Sequence, residues 1–199
     1  MTSPFPQSLD EFFHRLNVRH AEEDLRDELR QRLGRERQPV TRVGPREVVV
    51  AVCARLVPSD TVPPTALAAF LDEIFDQQRG RGDEQIGLMP RERLIPAGFT
   101  ALEEAAKRDS GRSFAVLDAP AQDELLAKAE RGDLEGPEGF DASTWFQRTR
   151  ALILLGYGSD PRGMIEMGFP GPSYESGHVW LSELEVRARA ERRVGYLEL

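Results

Sequence analysis

The stretch PPTALAAFLDEIF, residues 63–75, is the clearest amphipathic segment of the chain. Its large apolar side chains recur at i, i+3, i+4, i+7 and i+8, the spacing that gathers them on one face of an α-helix. They are Leu67, Phe70, Leu71, Ile74 and Phe75. The two prolines suit a helix start, because the amide hydrogens of a first turn have no partner within the helix. The stretch therefore predicts a helix with one buried face.

The run VVVAVCARLV, residues 48–57, is the most apolar part of the chain. Its β-branched residues would also suit a strand. A helix is favoured, because Pro45 can start one and no partner strand is evident nearby. Cys53 is the only cysteine, which excludes an internal disulfide, an iron–sulfur cluster and a C-x-x-C-H haem attachment within this chain. We expect its thiol to be buried as a small apolar group.

Two shorter helices are predicted before this run. Ser8 and Glu11 match a capping box that starts a helix over residues 9–16. A second helix is predicted over residues 21–33, and Gly34 ends it. Its narrow apolar stripe consists of Leu25, Leu29 and Leu33. The polar, proline-containing segment that follows indicates a linker.

Helix signals also dominate after residue 75. A polar loop is expected up to residue 96, and three more helices follow it. They span residues 96–108, 118–132 and 141–155, with Asp118 capping the second, Asp141 or Ser143 capping the third, and Gly156 ending it. The predicted fold class is all-α, with a helical N-terminal arm and linker over residues 1–45 and an irregular helical domain over residues 46–199.

The pattern changes at residues 156–181, GYGSDPRGMIEMGFPGPSYESGHVWL, which show neither helical nor strand periodicity. A long segment of this kind in a compact domain is usually functional or disordered. Disordered segments are typically polar, whereas this one is rich in aromatic residues. We therefore predict a long ordered loop that lies against a partner, followed by a last helix over residues 182–193. The expected interface residues are Tyr157, Asp160, Pro161, Met164, Phe169, Pro170, Tyr174 and Trp180.

Charge and hydropathy narrow the classes of partner. The formal net charge is −8, so a general attraction to nucleic acid or to anionic lipid is not expected. No run approaches the roughly 18 apolar residues of a membrane span. Residues 1–17 show no basic cluster followed by an apolar core, so no secretory or twin-arginine signal is recognised and a cytoplasmic location is expected.

No motif supplies catalytic, cofactor-binding or metal-binding residues. The glycines of GYG, residues 156–158, follow a predicted helix, and Pro161 stands where a dinucleotide fingerprint needs its third glycine. His14 and His20 are six residues apart and would face different sides of a helix. A self-sufficient enzyme that uses carboxylates and His178 is an alternative, because such groups meet only in the fold.

Six motifs, taken in their order along the chain, are more specific than any one of them. They are LVPSD (56–60), FLDEIF (70–75), GFTAL (98–102), SFAVLDAPAQDELL (113–126), WFQRTRALILLGYGSDP (145–161) and GFPGP (168–172). Together they resemble the gluconate 2-dehydrogenase subunit 3 family over roughly residues 46–180. The helix leading into GYGSDP, followed by GFPGP, is the most specific part.

The resemblance implies a non-catalytic accessory subunit of a flavin-dependent dehydrogenase of the glucose–methanol–choline type, which oxidises sugars, polyols and sugar acids. FAD and the catalytic bases would belong to the large subunit, and a multihaem cytochrome c subunit can take the electrons. The small subunit would help the large one to fold, stay soluble and, where exported, reach the periplasm. Because no signal is recognised here, we expect a cytoplasmic complex, or export with a signal-bearing partner. The alternative is a free-standing helical scaffold or regulator that docks through residues 8–33.

Overall fold

A computed structural model describes residues 7–15, 21–35, 39–40, 42–76 and 89–169 of the chain. Over these residues the secondary structure is helical, without a strand, which confirms the predicted all-α class. The α-helices are α1 (Leu9–Arg15), α2 (Ala21–Leu33), α3 (Arg46–Leu56), α4 (Pro64–Asp76), α5 (Arg91–Ser110), α6 (Ala119–Arg131), α7 (Ala142–Ser159) and α8 (Pro161–Glu166). A 3-10 turn, Phe114–Val116, lies between α5 and α6. The expected helix over residues 182–193 lies outside the described residues.

The two apolar stretches that the sequence singled out form α3 and α4, which pack against each other. α3 is a helix, as favoured, and its Val48, Val49, Val52 and Cys53 are buried. Burial keeps the Cys53 thiol away from water and raises its pKa well above the ordinary value, because a thiolate there would lack solvation. The expected role of Cys53 as a small buried apolar group is confirmed.

The centre of the core is Trp145 on α7, the helix that contacts α3, α4, α5, α6 and α8. The Trp145 indole N–H donates a hydrogen bond to the Ile95 carbonyl oxygen at 3.2 Å. The Phe99 ring meets the indole edge to face, with ring centroids 5.4 Å apart. Gly98 lies directly beneath the ring, since a Cβ there would lie 2.2 Å from Trp145 Cδ1. The close contact between α5 and α7 therefore requires glycine at position 98, beneath the Trp145 ring.

Capping side chains define the ends of α6 and α7. Asp118 caps α6, and its carboxylate accepts a hydrogen bond from the Ala121 amide at 3.0 Å. Asp141 rather than Ser143 caps α7, because its carboxylate accepts the Thr144 amide. The hydrogen bond from the Thr144 amide holds the pKa of Asp141 below its ordinary value.

α5 begins five residues before the predicted start at Pro96, so the predicted polar loop is wrong over residues 91–95. Pro96 removes one hydrogen bond from the helix and disfavours the turn before it. The same turn buries Leu94 and Ile95. Burial of two aliphatic side chains is worth about 3–6 kcal/mol, at least the cost of an interior proline of about 3 kcal/mol. Residues 77–88 of the predicted loop lie outside the described residues.

The N-terminal helices pack on α8 rather than on the centre of the core. Phe12, Phe13 and Leu29 form a second apolar cluster, with the side chains of Leu9, Leu33, Met164 and Ile165 around it. The leucine stripe of α2 therefore packs on its own chain through Leu29 and Leu33. Arg35, just after α2, binds Glu73 of α4 at 2.6 Å. The boundary placed between residues 45 and 46 stays a prediction.

The start of α1 shows a capping arrangement close to the predicted one. The Glu11 amide donates to Ser8 Oγ at 3.2 Å. The Glu11 carboxylate accepts the amide of Gln7 at 2.9 Å. The predicted capping box is therefore present, except that the Glu11 carboxylate binds the amide of Gln7 and not that of Ser8. Among the described helices, none combines the length and apolarity needed to cross a membrane.

Candidate functional site

The corner between α7 and α8 contains the residues that the sequence assigned to a partner interface. The prediction of a structureless segment from residue 156 is wrong at its beginning, because α7 continues to Ser159 and α8 follows at once. Gly156 does not end α7. It is buried against α4, where a Cβ would lie 2.6 Å from Phe70 Cδ1. Glycine at this position permits close packing of two helices.

The sequence Asp160–Pro161 explains why a new helix begins. Asp160 caps α8, its carboxylate accepting the Arg162 amide at 2.9 Å, and Pro161 occupies the first turn. The same carboxylate accepts from Arg162 Nε at 2.9 Å and Nη2 at 2.8 Å. Both partners are largely buried, so removing one would take a close opposite charge away from the other. This pair fixes the start of α8.

A second arginine joins the corner to the N-terminal arm. Arg32 of α2 donates from Nη1 to the Ser159 carbonyl oxygen at 2.9 Å. That oxygen belongs to the last residue of α7, where carbonyl groups have no partner within the helix. The arginine therefore satisfies a helix end and ties α2 to the corner.

α8 lies unusually close to the last turn of α7. At Gly163 a Cβ would lie 2.2 Å from the backbone oxygen of Tyr157 and 3.1 Å from Tyr157 Cδ2. The Tyr157 side chain is half-buried and packs at the edge of the main core. The close approach thus requires glycine in α8.

Glu166, the last residue of α8, anchors this helix to the loop before α4. Its carboxylate accepts the Ser59 and Thr61 hydroxyls, each at 2.6 Å. The Ser59 and Thr61 hydroxyls hold the pKa of Glu166 below its ordinary value. Burial and the Glu166 charge raise the pKa of Tyr157. The motif LVPSD thereby meets the helix that follows GYGSDP.

Replacing Glu166 by glutamine should destabilise the protein at neutral pH by about 0.5–1.5 kcal/mol, because the amide keeps one acceptor oxygen and loses the charge. The Glu166 pKa is lowered in the folded state, so its contribution is present above about pH 4.3 and lost as the pH falls through the folded-state value. The side chain is exposed, which limits the effect. Urea unfolding at pH 7 and pH 3 measures it.

A matched control is Glu130→Gln on the exposed side of α6, where no hydrogen bond to a described residue is lost. This control should change stability little at either pH. A Glu166→Gln loss of equal size at pH 7 and pH 3 would show that the charge is not what Ser59 and Thr61 stabilise.

The predicted interface residues do not share one exposed surface. Asp160 and Pro161 are buried, and Tyr157 is half-buried. Met164 packs against the Phe12–Phe13 cluster, while Phe169 is 38% exposed. The other three lie outside the described residues: Pro170, Tyr174 and Trp180. Contact with a partner stays a prediction for all eight, and burial gives Asp160 and Pro161 a role in shaping the corner.

Sequence reasoning missed three exposed apolar side chains at the same corner. Leu154 and Leu155 on α7 are 45% and 56% exposed, and Met167 after α8 is 55% exposed. The sequence did contain a signal for two of them. The run ALILL, residues 151–155, is apolar at five consecutive positions, and a helix cannot turn five consecutive residues to one side. Ile153 is buried and Leu152 packs against the core, whereas Leu154 and Leu155 are exposed.

The described corner is held by hydrogen bonds and an ion pair within the chain, and it carries exposed apolar side chains. Among the residues that the structure describes, no three His, Cys, Asp or Glu side chains are grouped so that they could hold a metal ion. His20 and His178 lie outside these residues, so the alternative that uses His178 is not addressed by the structure.

Comparison with known proteins adds one finding. The family model described as gluconate 2-dehydrogenase subunit 3 matches residues 45–171. The matched range runs from the residue before α3 to two residues beyond Phe169, so it contains α3 to α8 and the whole corner, and leaves α1 and α2 outside. No curated protein matches the chain. No solved structure matches it either.

Proposed function

Since the chain belongs to the gluconate 2-dehydrogenase subunit 3 family, we propose that it is a non-catalytic accessory subunit that binds and stabilises a large flavin-dependent oxidoreductase subunit. The family match carries this proposal, because it covers most of the chain and its description names a dehydrogenase subunit. In this assignment FAD and the reacting groups belong to the large subunit, of the glucose–methanol–choline type. The small subunit assists folding of the large one by covering apolar surface.

The exposed apolar side chains at the α7–α8 corner support a binding role. Single exposed leucines are ordinary on a protein surface, whereas neighbouring exposed apolar side chains are typical of interaction sites. Leu154 and Leu155 are adjacent and exposed, and the exposed Met167 lies over Gly158, about one turn further along α7. The alternative scaffold that docks through α2 has no comparable support, since Leu29 is buried on its own chain and Leu33 packs beside it.

The large subunit would determine both the cellular location of the complex and its electron acceptor. The proposed complex is cytoplasmic, and a partner that carries an export signal would move it to the periplasm. A periplasmic complex can pass electrons to a cytochrome c subunit, whereas a cytoplasmic one requires oxygen or a soluble acceptor. Fractionation of cells that produce the tagged chain distinguishes the two locations.

Co-production tests the proposed function. A tagged copy of this chain, produced in its native cells, should retain a larger protein with the absorption spectrum of a flavin. That large subunit, produced with this chain, should be soluble and flavin-loaded, and produced alone it should accumulate mainly in the insoluble fraction. A large subunit that is equally soluble, flavin-loaded and active alone would contradict the proposal. Failure to recover any flavoprotein with the tagged chain would do so more directly.

A further inference from the structure

We propose that the outer face of α7, extended by Met167, is the surface that binds the large subunit, and that the partner presents an apolar groove bordered by carboxylates. This inference rests on the proposed function and adds the location and the chemistry of the contact. The surface, called here the α7 outer face, consists of Arg150, Ala151, Leu154, Leu155, Gly158 and Met167.

Helical spacing places these residues together. Trp145, Thr149, Ile153 and Gly156 point into the protein. On the opposite side of α7, positions 150, 154 and 158 follow one another at i+4 spacing, and positions 151 and 155 lie beside them. From residue 150 to residue 158 the helix rises about 12 Å. This length suits the apolar centre of a protein contact.

Met167 extends the face beyond α7. Its terminal methyl carbon lies 3.6 Å from the point that a Cβ on Gly158 would occupy. The Met167 methyl therefore lies over Gly158, which follows Leu154 and Leu155 by about one helical turn. Methionine adapts its shape to different apolar surfaces, which suits a binding face.

Most of the exposed large apolar groups of the described chain lie on this face. The five most exposed are Val116, Leu154, Leu155, Met167 and Phe169. Three of them belong to the α7 outer face, Phe169 follows Met167 by two residues, and Val116 lies in the separate 3-10 turn. Burial of such side chains at the centre of a contact is the usual source of binding energy.

The charge of the face differs from that of the chain. The chain has a net charge of −8, yet α7 contains two arginines and no aspartate or glutamate. Arg150 is exposed, and no described residue forms a hydrogen bond or ion pair with it. Two carboxylates that follow α7 in the chain are engaged elsewhere: Asp160 binds Arg162, and Glu166 binds Ser59 and Thr61.

This charge distribution favours a different protein over a second copy as the occupant. In a two-fold symmetric dimer the same patch meets itself. The α7 outer face would then place arginine opposite a surface without a carboxylate. A partner with carboxylates around an apolar groove pairs with Arg150 at the rim and buries Leu154 and Leu155 at the centre.

Two substitutions at equal exposure test the surface. Leu155→Asp and Val116→Asp each place a carboxylate at a site where the native side chain is 56% exposed. The probe is the flavoprotein subunit that co-purifies with the wild-type chain. Leu155→Asp should raise the Kd for this subunit at least about 30-fold, as expected for a central contact residue. Val116→Asp should leave the Kd within about twofold, because rim or remote positions contribute little.

Arg150→Glu tests the charge of the partner surface. It should slow association, and the difference from wild type should shrink as salt is added. An association rate independent of the charge at position 150 would overturn the carboxylate part of the proposal. Circular dichroism and thermal unfolding of each variant establish that all three remain folded.

The outcomes separate this inference from the proposed function. If the wild-type chain recovers no flavoprotein, the proposed function fails. If wild type binds the flavoprotein and Leu155→Asp binds it equally well, only the α7 outer face is rejected. Dimers of the isolated chain that Leu155→Asp dissociates, together with unchanged flavoprotein binding, would assign the face to self-association and overturn the inference.

Discussion

Replacing Trp145 by alanine should lower the free energy of unfolding by about 3–5 kcal/mol, the range for removing a buried aromatic side chain. Trp145 is fully buried, packs edge to face on Phe99, and donates its indole N–H to the Ile95 carbonyl. The loss is a large fraction of the total stability of a typical domain. Guanidinium unfolding followed by circular dichroism measures it. Trp145→Phe, which keeps an aromatic ring, should cost less and serves where the alanine variant does not fold.

Gly98 provides an internal control for this prediction. Gly98→Ala in the native background should destabilise by about 1–3 kcal/mol, because its Cβ would lie 2.2 Å from the Trp145 ring. In the Trp145→Ala background the clash is gone, and the same change should be neutral or stabilise by up to about 1 kcal/mol through helix propensity. Equal effects in both backgrounds would show that the ring does not press on Gly98.

This contact explains why two of the sequence motifs occur together. GFTAL supplies Gly98 and Phe99, and WFQRTR supplies Trp145, so the two motifs are the two halves of one packed contact. The helices themselves were predictable from apolar periodicity and from caps such as Asp118. The pairing of the helices was not, because periodicity shows that a face is buried without showing what covers it.

The different roles of two glycines also could not be distinguished from the sequence alone. Gly132 ends α6 as predicted, and its backbone has φ of 85°, a left-handed conformation that glycine adopts readily. Gly156 lies within α7, where Phe70 occupies the space of a side chain. In the sequence both glycines come at the end of a predicted helix. Only the tertiary contact with α4 distinguishes a helix end from a site of close packing.

The sequence singled out the segment that forms the α7–α8 corner, but it did not predict which side chains are exposed there. Asp160 and Pro161 start α8 from a buried position, and their predicted contact with a partner stays a prediction. Leu154 and Leu155 were counted as part of an apolar helix, although only one side of α7 is needed for the core. A run that is apolar on all sides indicates more than one covering surface, and the second surface here is the one assigned to the partner.

Gly163→Ala should destabilise the protein by about 1–3 kcal/mol, mainly by displacing α8. Its Cβ would lie 2.2 Å from the Tyr157 carbonyl oxygen, a backbone atom that cannot rotate away as a side chain could. Displacement of α8 would also weaken the contact of Met164 with Phe12 and Phe13. Urea unfolding measures the loss. Tryptic cleavage after Arg162 should become faster, because displacement exposes a residue held by Asp160 in the native corner.

Gly158→Ala is the matched control, a glycine five residues earlier in the same corner. A Cβ at Gly158 would meet only the Met167 methyl at 3.6 Å, an ordinary contact distance. Alanine should therefore be tolerated and could stabilise α7 by up to about 1 kcal/mol. If Gly163→Ala were as stable as Gly158→Ala and equally resistant to trypsin, α8 would not be held against Tyr157. The other contacts of the corner, such as the Asp160–Arg162 pair, would then have to hold α8 in place.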